Sequence, residues 1–138
     1  MSLTYQQAND EILTMFKAAW DPTGHEAFYD AVRKQREADN SAWAVVTLNH
    51  IFAQQDSLGG IGGRSFKREG TLIITLNTPS TSGLSEAYTL GKVLVDAYEG
   101  ISSPGGVWFR NVRINELGRD GAFNQTNVLV DFEYYEVK

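Results

Sequence analysis

Apolar residues recur at helical spacing near the start of the chain, at Tyr5, Ala8, Ile12, Phe16, Ala19 and Trp20. That period is one face of an α-helix. Thr4 with Gln7 after it has the form of a capping box, in which side chains satisfy free backbone N–H groups of the first turn. The pattern therefore predicts an amphipathic helix over 4–20. Asp21-Pro22-Thr23-Gly24 ends it, because a proline pushes the preceding residue out of helical geometry and a glycine accepts a left-handed turn. Glu26 to Val32, with Ala27, Phe28 and Tyr29, suits a short strand, and the charged stretch Arg33 to Asn40 reads as a solvated loop.

The period then changes to two. From Ala42 to Gln54 an apolar face carries Ala44, Val46, Leu48 and Phe52, with His50 on the same side, while Val45, Thr47 and Asn49 point the other way. A second long strand is expected over Phe66 to Thr78, with Leu72, Ile74 and Leu76 inside and Thr71, Ile73, Thr75 and Asn77 outside. Between them Gln55 to Ser65 contains Gly59-Gly60-Ile61-Gly62-Gly63, a stretch with little conformational preference of its own. The expectation is a long β-hairpin with a mobile tip.

Pro79 to Gly83 is a turn composition, and Leu84, Ala87, Tyr88, Gly91, Leu94, Val95 and Tyr98 return to helical spacing. Glu86 suits the first turn of that helix over 84–99, and Gly100 suits its end. Ser102 to Gly106 turns the chain. Val112 and Ile114, then Val128, Val130, Phe132 and Tyr134, alternate as a final pair of strands around Gly118-Arg119-Asp120-Gly121, whose Asp-Gly is a hairpin signal. The order gives an α+β fold: one domain over 1–138, a mainly antiparallel sheet of about five strands, two helices packed on it, and a long Gly-tipped β-hairpin.

Composition narrows the function more than the fold. The 138 residues include 42% hydrophobic and 12% aromatic side chains, enough for one core. Seventeen acids against twelve bases give a net charge of −5, which disfavours sequence-general binding to nucleic acid and to anionic membranes. The absence of cysteine removes disulfides, thiolate metal sites and cysteine nucleophiles. No apolar run approaches the roughly 20 residues of a membrane span, and no secretory signal pattern opens the chain. Synthesis in the cytoplasm is the expectation.

Candidate chemistry is sparse. A phosphate-binding loop needs Gly-Lys-Ser/Thr opening a helix, or a glycine turn between strand and helix, whereas Gly63 is followed by Arg64-Ser65 and a strand. His25 and His50 stand in no ligand pairing such as His-x-x-x-His, so no metal site is expected. His50 with Asp56 and Ser57 matches a catalytic triad in composition only. Asp96 with Glu99, and Asp131 with Glu133, fit solvated faces better than an acid–base pair, and Arg110 and Arg113 are placed to neutralise the latter two across strands. No catalytic residue and no cofactor is assigned. The competing view is a small hydrolase or nucleotide-binding enzyme that uses the glycine loop with His50, Asp56 or Arg64.

Interaction surfaces are better signalled. The tip residues Leu58, Gly59, Gly60 and Ile61 suit contact with a partner. Arg64, Phe66, Lys67 and Arg68 form a local cationic patch that suits either an acidic partner or an edge kept soluble by charge. One of Trp108 and Phe109 should be core and the other exposed for a subunit interface, where aromatic residues are enriched. Trp108 is the interface candidate, with a rim position over the helix as the competing view, and the same reasoning touches Trp43.

These segments resemble a known group. Tyr5 to Trp20 with Asn9-Asp10-Glu11, Trp43-Ala44-Val45-Val46-Thr47, Ser57-Leu58-Gly59-Gly60, Leu84-Ser85-Glu86-Ala87-Tyr88 and above all Pro104-Gly105-Gly106-Val107-Trp108-Phe109-Arg110-Asn111-Val112 look like the tail-terminator-like proteins of tailed bacteriophages and prophages, including the lambda-type group. The final hairpin to Phe132-Glu133-Tyr134 belongs to the resemblance too. It implies a non-enzymatic protein that assembles as a ring, commonly a hexamer, on the head-proximal end of the virion tail. Such a ring ends polymerisation of the tail-tube protein and offers a surface to a head-completion or neck protein. Head–tail joining proteins and tube subunits of the same kind of fold are the nearest alternative.

Overall fold

A computed structural model describes residues 2–29, 42–55, 57, 59–79, 83–120 and 123–138. Helix α1 (Tyr5–Trp20) opens with the capping box as expected: Thr4 Oγ1 accepts the Gln7 N–H at 3.2 Å, and Gln7 Oε1 accepts the Thr4 N–H at 3.0 Å. A single 3-10 turn at Asp21–Thr23 follows, and Gly24 takes the left-handed conformation that releases the chain into strand β1 (Glu26–Tyr29). The expected end of that strand at Val32 and the solvated loop to Asn40 lie outside the described residues, as do 80–82 of the turn before the second helix.

Strands β2 (Trp43–Gln55), β3 (Ser65–Pro79), β4 (Trp108–Asp120) and β5 (Phe123–Val137), with helix α2 (Gly83–Tyr98) between β3 and β4, complete the expected α+β architecture. The sheet order is β1-β2-β3-β5-β4, with β1 parallel to β2 and every other pairing antiparallel. Both helices pack on one face. Helix α1 buries Ala8, Ile12, Phe16 and Trp20 there, α2 buries Ala87, Leu90, Leu94 and Tyr98, and the sheet answers with Ala44, Val46, Leu72, Ile74, Leu76, Val128, Val130, Phe132 and Tyr134. The Tyr98 hydroxyl donates to the Ile12 carbonyl at 2.9 Å, tying the helices together inside the core. Leu84 and Tyr88, read as part of the α2 stripe, sit instead at its exposed rim. None of the described helices is long and apolar enough to cross a membrane.

Three details differ from the alternation. Phe52 does not share a face with Leu48 and His50. A bulge at Ile51 inserts an extra residue, so that His50 opposes Gly70 but Phe52 opposes Glu69. An extra residue reverses every side chain beyond it, and Phe52 turns to the face away from the helices. Asn77, expected outside, is only 3% exposed. It lies opposite Trp43, whose ring packs edge-on against Phe28 and Phe123, so aromatic cover closes the outer face at that end. Finally, Gly118 to Asp120 belong to β4, where a bulge between Glu116 and Gly118 lets pairing continue to Asp120 opposite Phe123. Gly121 of the expected Asp-Gly turn lies outside the described residues.

Gly70 is the position where the bulge demands a missing side chain. A β-carbon there would overlap the Asn49 carbonyl and meet the Phe132 ring. Gly70→Ala should therefore destabilise the fold by about 1–3 kcal/mol, as overpacking of a closed site does. Gly60→Ala, with nothing near its β-carbon, should leave the urea midpoint unchanged. Equal midpoints for the two variants would mean that the sheet yields at the bulge.

Candidate functional site

The tip of the β2–β3 hairpin is held by few contacts. Gln55 opposite Phe66 is the last strand pair. Beyond it the Ser57 hydroxyl accepts the Ser65 N–H at 2.9 Å, and the Gly63 N–H closes a turn on the Gly60 carbonyl at 2.9 Å. Gly62 has φ +90°, and a β-carbon on Gly59 would strike the Gly63 carbonyl, so this turn needs glycine at both places. Ile61 stands at its crest, 93% exposed. Leu58, named with it as a contact residue, lies outside the described residues, as does Asp56.

The cationic patch is largely neutralised within the chain. Lys67 reaches Glu69 at 3.1 Å and Glu133 at 3.2 Å on the helix-free face. Hydrogen bonding to Glu69, then to Glu133, raises the Lys67 pKa, and hydrogen bonding to Lys67 is the main cause that lowers that of Glu69. Arg68, only 6% exposed, is on the helix side, bound to Glu136 at 2.8 Å and stacked 4.6 Å from the Tyr5 ring centre. Phe66 is flanked by the cations of Arg64, Arg68 and Lys138 at 5.9, 5.9 and 5.3 Å. Arg64, just before β3, differs from Lys67 and Arg68. Its Nε donates to the Lys138 backbone oxygen at 3.3 Å.

The helix-free face also pairs Arg110 with Glu69 at 3.1 Å and Glu133 at 3.6 Å, and Arg113 with Asp131 at 3.5 Å. Thr71 and Asn111 donate to the two oxygens of Asp131. The carboxylates of β5 are thus ligated by their neighbours, as their spacing with Arg110 and Arg113 suggested. Asp96 pairs with Lys92 on the solvent side of α2. A shallow polar hollow of about 360 Å³ lies over this network, between the Ile51 bulge in β2 and a second bulge in β4 at Asn111.

Trp108 and Phe109 divide as expected. Register places Phe109 opposite Phe132 on the core side, 4.9 Å from the Tyr98 ring, and Trp108 opposite Glu133 on the outer side, 63% exposed. The preceding loop is locked: Val107 N–H donates to Ser103 Oγ at 2.9 Å, Ser103 N–H to the Val107 carbonyl at 2.9 Å, and Gly105 N–H to Glu11 Oε1 at 2.5 Å. The Glu11 carboxylate occupies the space that a β-carbon on residue 105 would need. A groove of about 410 Å³ results, lined by Ser102, Ser103, Pro104, Gly106, Trp108 and Tyr135. On the far side of Pro104 a second hollow is lined by Asp10, Glu11, Thr14, Met15 and Ala18. Glu11 and Tyr135 carried no signal as single residues, because their partners are distant in sequence. The β-carbon missing from position 105 was the one visible trace.

His50 has a structural setting. Its Nε2 lies 2.6 Å from the Tyr134 hydroxyl, and the rings of Tyr5, Phe132 and Tyr134 meet it edge-on. Desolvation, helped by the Arg68 charge, lowers its pKa, and burial raises that of Tyr134. Among the described residues no three histidine or carboxylate side chains are grouped to hold a metal ion.

No model of a known protein family matches the chain, and no curated protein does. A solved structure shares its fold with a TM-score of 0.62 at 13% identity, covering 94% of this chain and 95% of the other.

The lowered pKa of His50 sets a pH dependence. As pH falls below the ordinary histidine value of 6.5, the unfolded chain takes up the proton before the folded one does. Stability is therefore full above that value, declines beneath it, and levels off once folded His50 is protonated. His50→Gln should flatten this step, seen by comparing urea midpoints at several pH values between neutral and mildly acidic. A step of the same size in the variant would assign it to another group.

Proposed function

We propose that the protein is a non-enzymatic tail assembly protein of a phage or prophage. It forms a ring on the head-proximal end of the tail tube, ends tube polymerisation and offers the surface to which the head is joined. The observation that carries this reading is the clustering of exposed apolar side chains at one end of the sheet. Phe52 and Trp108 lie in the strand row through Glu69 and Glu133, Ile51 is beside it, and Val137 and Ile61 lie beyond it. Large exposed apolar side chains set around a charged centre suit an interaction surface, whose aromatic anchors are ringed or joined by polar groups.

The disposition of charge supports the same reading. Lys67, Arg68, Arg110 and Arg113 are each tied to carboxylates of their own chain, and His50 is occupied by Tyr134. These groups hold the sheet in shape. The resemblance of Pro104 to Val112 to the tail-terminator group falls on the segment that forms the Trp108 groove, and that of Ser57 to Gly60 falls at the hairpin tip.

Mass in solution tests the reading directly, by light scattering after size exclusion over a concentration series, with and without tail-tube protein. The expected result is a closed species of six copies of the 15.3 kDa chain, alone or on the tube. A monomer at every concentration that ignores the tube would sink it.

A further inference from the structure

The tip and the Trp108 groove have opposite characters. Among its described residues the tip presents one bare apolar side chain, Ile61, followed by the cation Arg64, which donates to the Lys138 backbone oxygen. The groove presents two aromatic walls, Trp108 and Tyr135, and across Pro104 the acidic residues of α1. Asp10 is the exposed acid there, its Oδ1 accepting from Gln6, whereas the Glu11 carboxylate is buried against Gly105. An apolar knob with a cation thus matches an apolar hollow with acids. In a protein of net charge −5, a tip that ends in a cation is the exception that charge complementarity would use.

Placement fits two copies better than one. The strand order puts the tip, carried by β2 and β3, towards one edge of the sheet, and Trp108, which begins β4, at the other edge, while both lie at the same end of the strands. No tip residue lines the groove of its own chain. Copies set side by side bring the tip of one to the groove of the next. Such a contact joins two different patches, so it is head-to-tail, and its repetition by rotation closes a ring.

We infer that the glycine-tipped β2–β3 turn of one copy seats in the Pro104–Trp108 groove of a second copy, with Ile61 against Trp108 and Tyr135 and Arg64 facing Asp10. This contact rests on the self-assembling reading above and names the surfaces that would build the ring.

Ile61→Asp destroys the knob and leaves the groove, whereas Trp108→Ala empties the groove and leaves the knob. Both side chains are mostly exposed, so each variant should melt close to the wild type. Under the conditions in which the wild type assembles, each variant alone should be monomeric, with self-association weakened roughly tenfold or more. Mixed in equal amounts they should form a two-chain species and nothing larger, because one intact tip then meets one intact groove. Arg64→Glu should weaken assembly, and adding Asp10→Arg in the same chain should restore it. Variants that assemble like the wild type would overturn this contact and leave the ring reading standing. Monomeric variants whose mixture stays monomeric would overturn it as well. A wild type that never multimerises, alone or with tail-tube protein, would remove both.

Discussion

A mismatch of lengths governs this molecule. Its helices have 16 residues each and so span about 24 Å, while the paired strands β3 and β5 have 15 residues each and span about 50 Å. Two such helices cannot roof the whole sheet. Between Trp43 and Leu48 strand β2 alternates between buried and half-buried, and from Asn49 to Gln55 every residue is exposed. The far end of β2 has no helical layer, and over β3 and β5 it is Tyr5 at the start of α1 that reaches Arg68 and Tyr134. Ion pairs and stacked cations hold this end together: Lys67 with Glu69 and Glu133, Arg110 with the same two acids, and Arg68 between Glu136 and the Tyr5 ring. Individually such exposed pairs contribute little, but a network that shares partners across adjacent strands fixes register as well.

What the sequence revealed follows the range of the interactions. The Thr4–Gln7 box, the helix stripes and the inner face of β3 depend on neighbours a few residues away, and periodicity displays them. The flip of Phe52 depends on one extra residue, Ile51, whose effect appears only against the partner strand. Asn77 looked solvent-facing by parity, yet its burial depends on Trp43 with Phe28 and Phe123 from two other strands. The clamp of Glu11 on Gly105 spans most of the chain. In the candidate site, the tip and Trp108 were legible as exposed features, and the groove beside Trp108 was not. The cationic patch was visible as composition, but only the register showed that Lys67 and Arg68 face opposite sides and are each met by acids.

The same geometry bears on how such a surface would assemble. Burying a charge against a partner is costly when its hydration is not replaced. Charges already tied to one another within the chain have surrendered part of that hydration on folding, so the helix-free face can approach another surface with less to lose. Specificity would then fall to the exposed side chains Ile61 and Trp108 and the cation Arg64, together with the shape of the groove beside Trp108.

Net charge works against assembly at long range and thereby sharpens it. Copies that each carry −5 repel once their surfaces come within about a Debye length, roughly 8 Å at physiological salt. Encounters in most orientations bring acid against acid. An approach that leads with Arg64 towards the acidic residues of α1 reverses the sign locally, so orientation is selected before apolar contact begins. Raised salt would then act in opposite directions on the two stages: it relieves the general repulsion and also weakens the guiding attraction. Because the inferred attraction rests on one cation and the repulsion is spread over the whole surface, screening at moderate salt would favour such assembly, and an apolar seat for Ile61 would keep the contact once made.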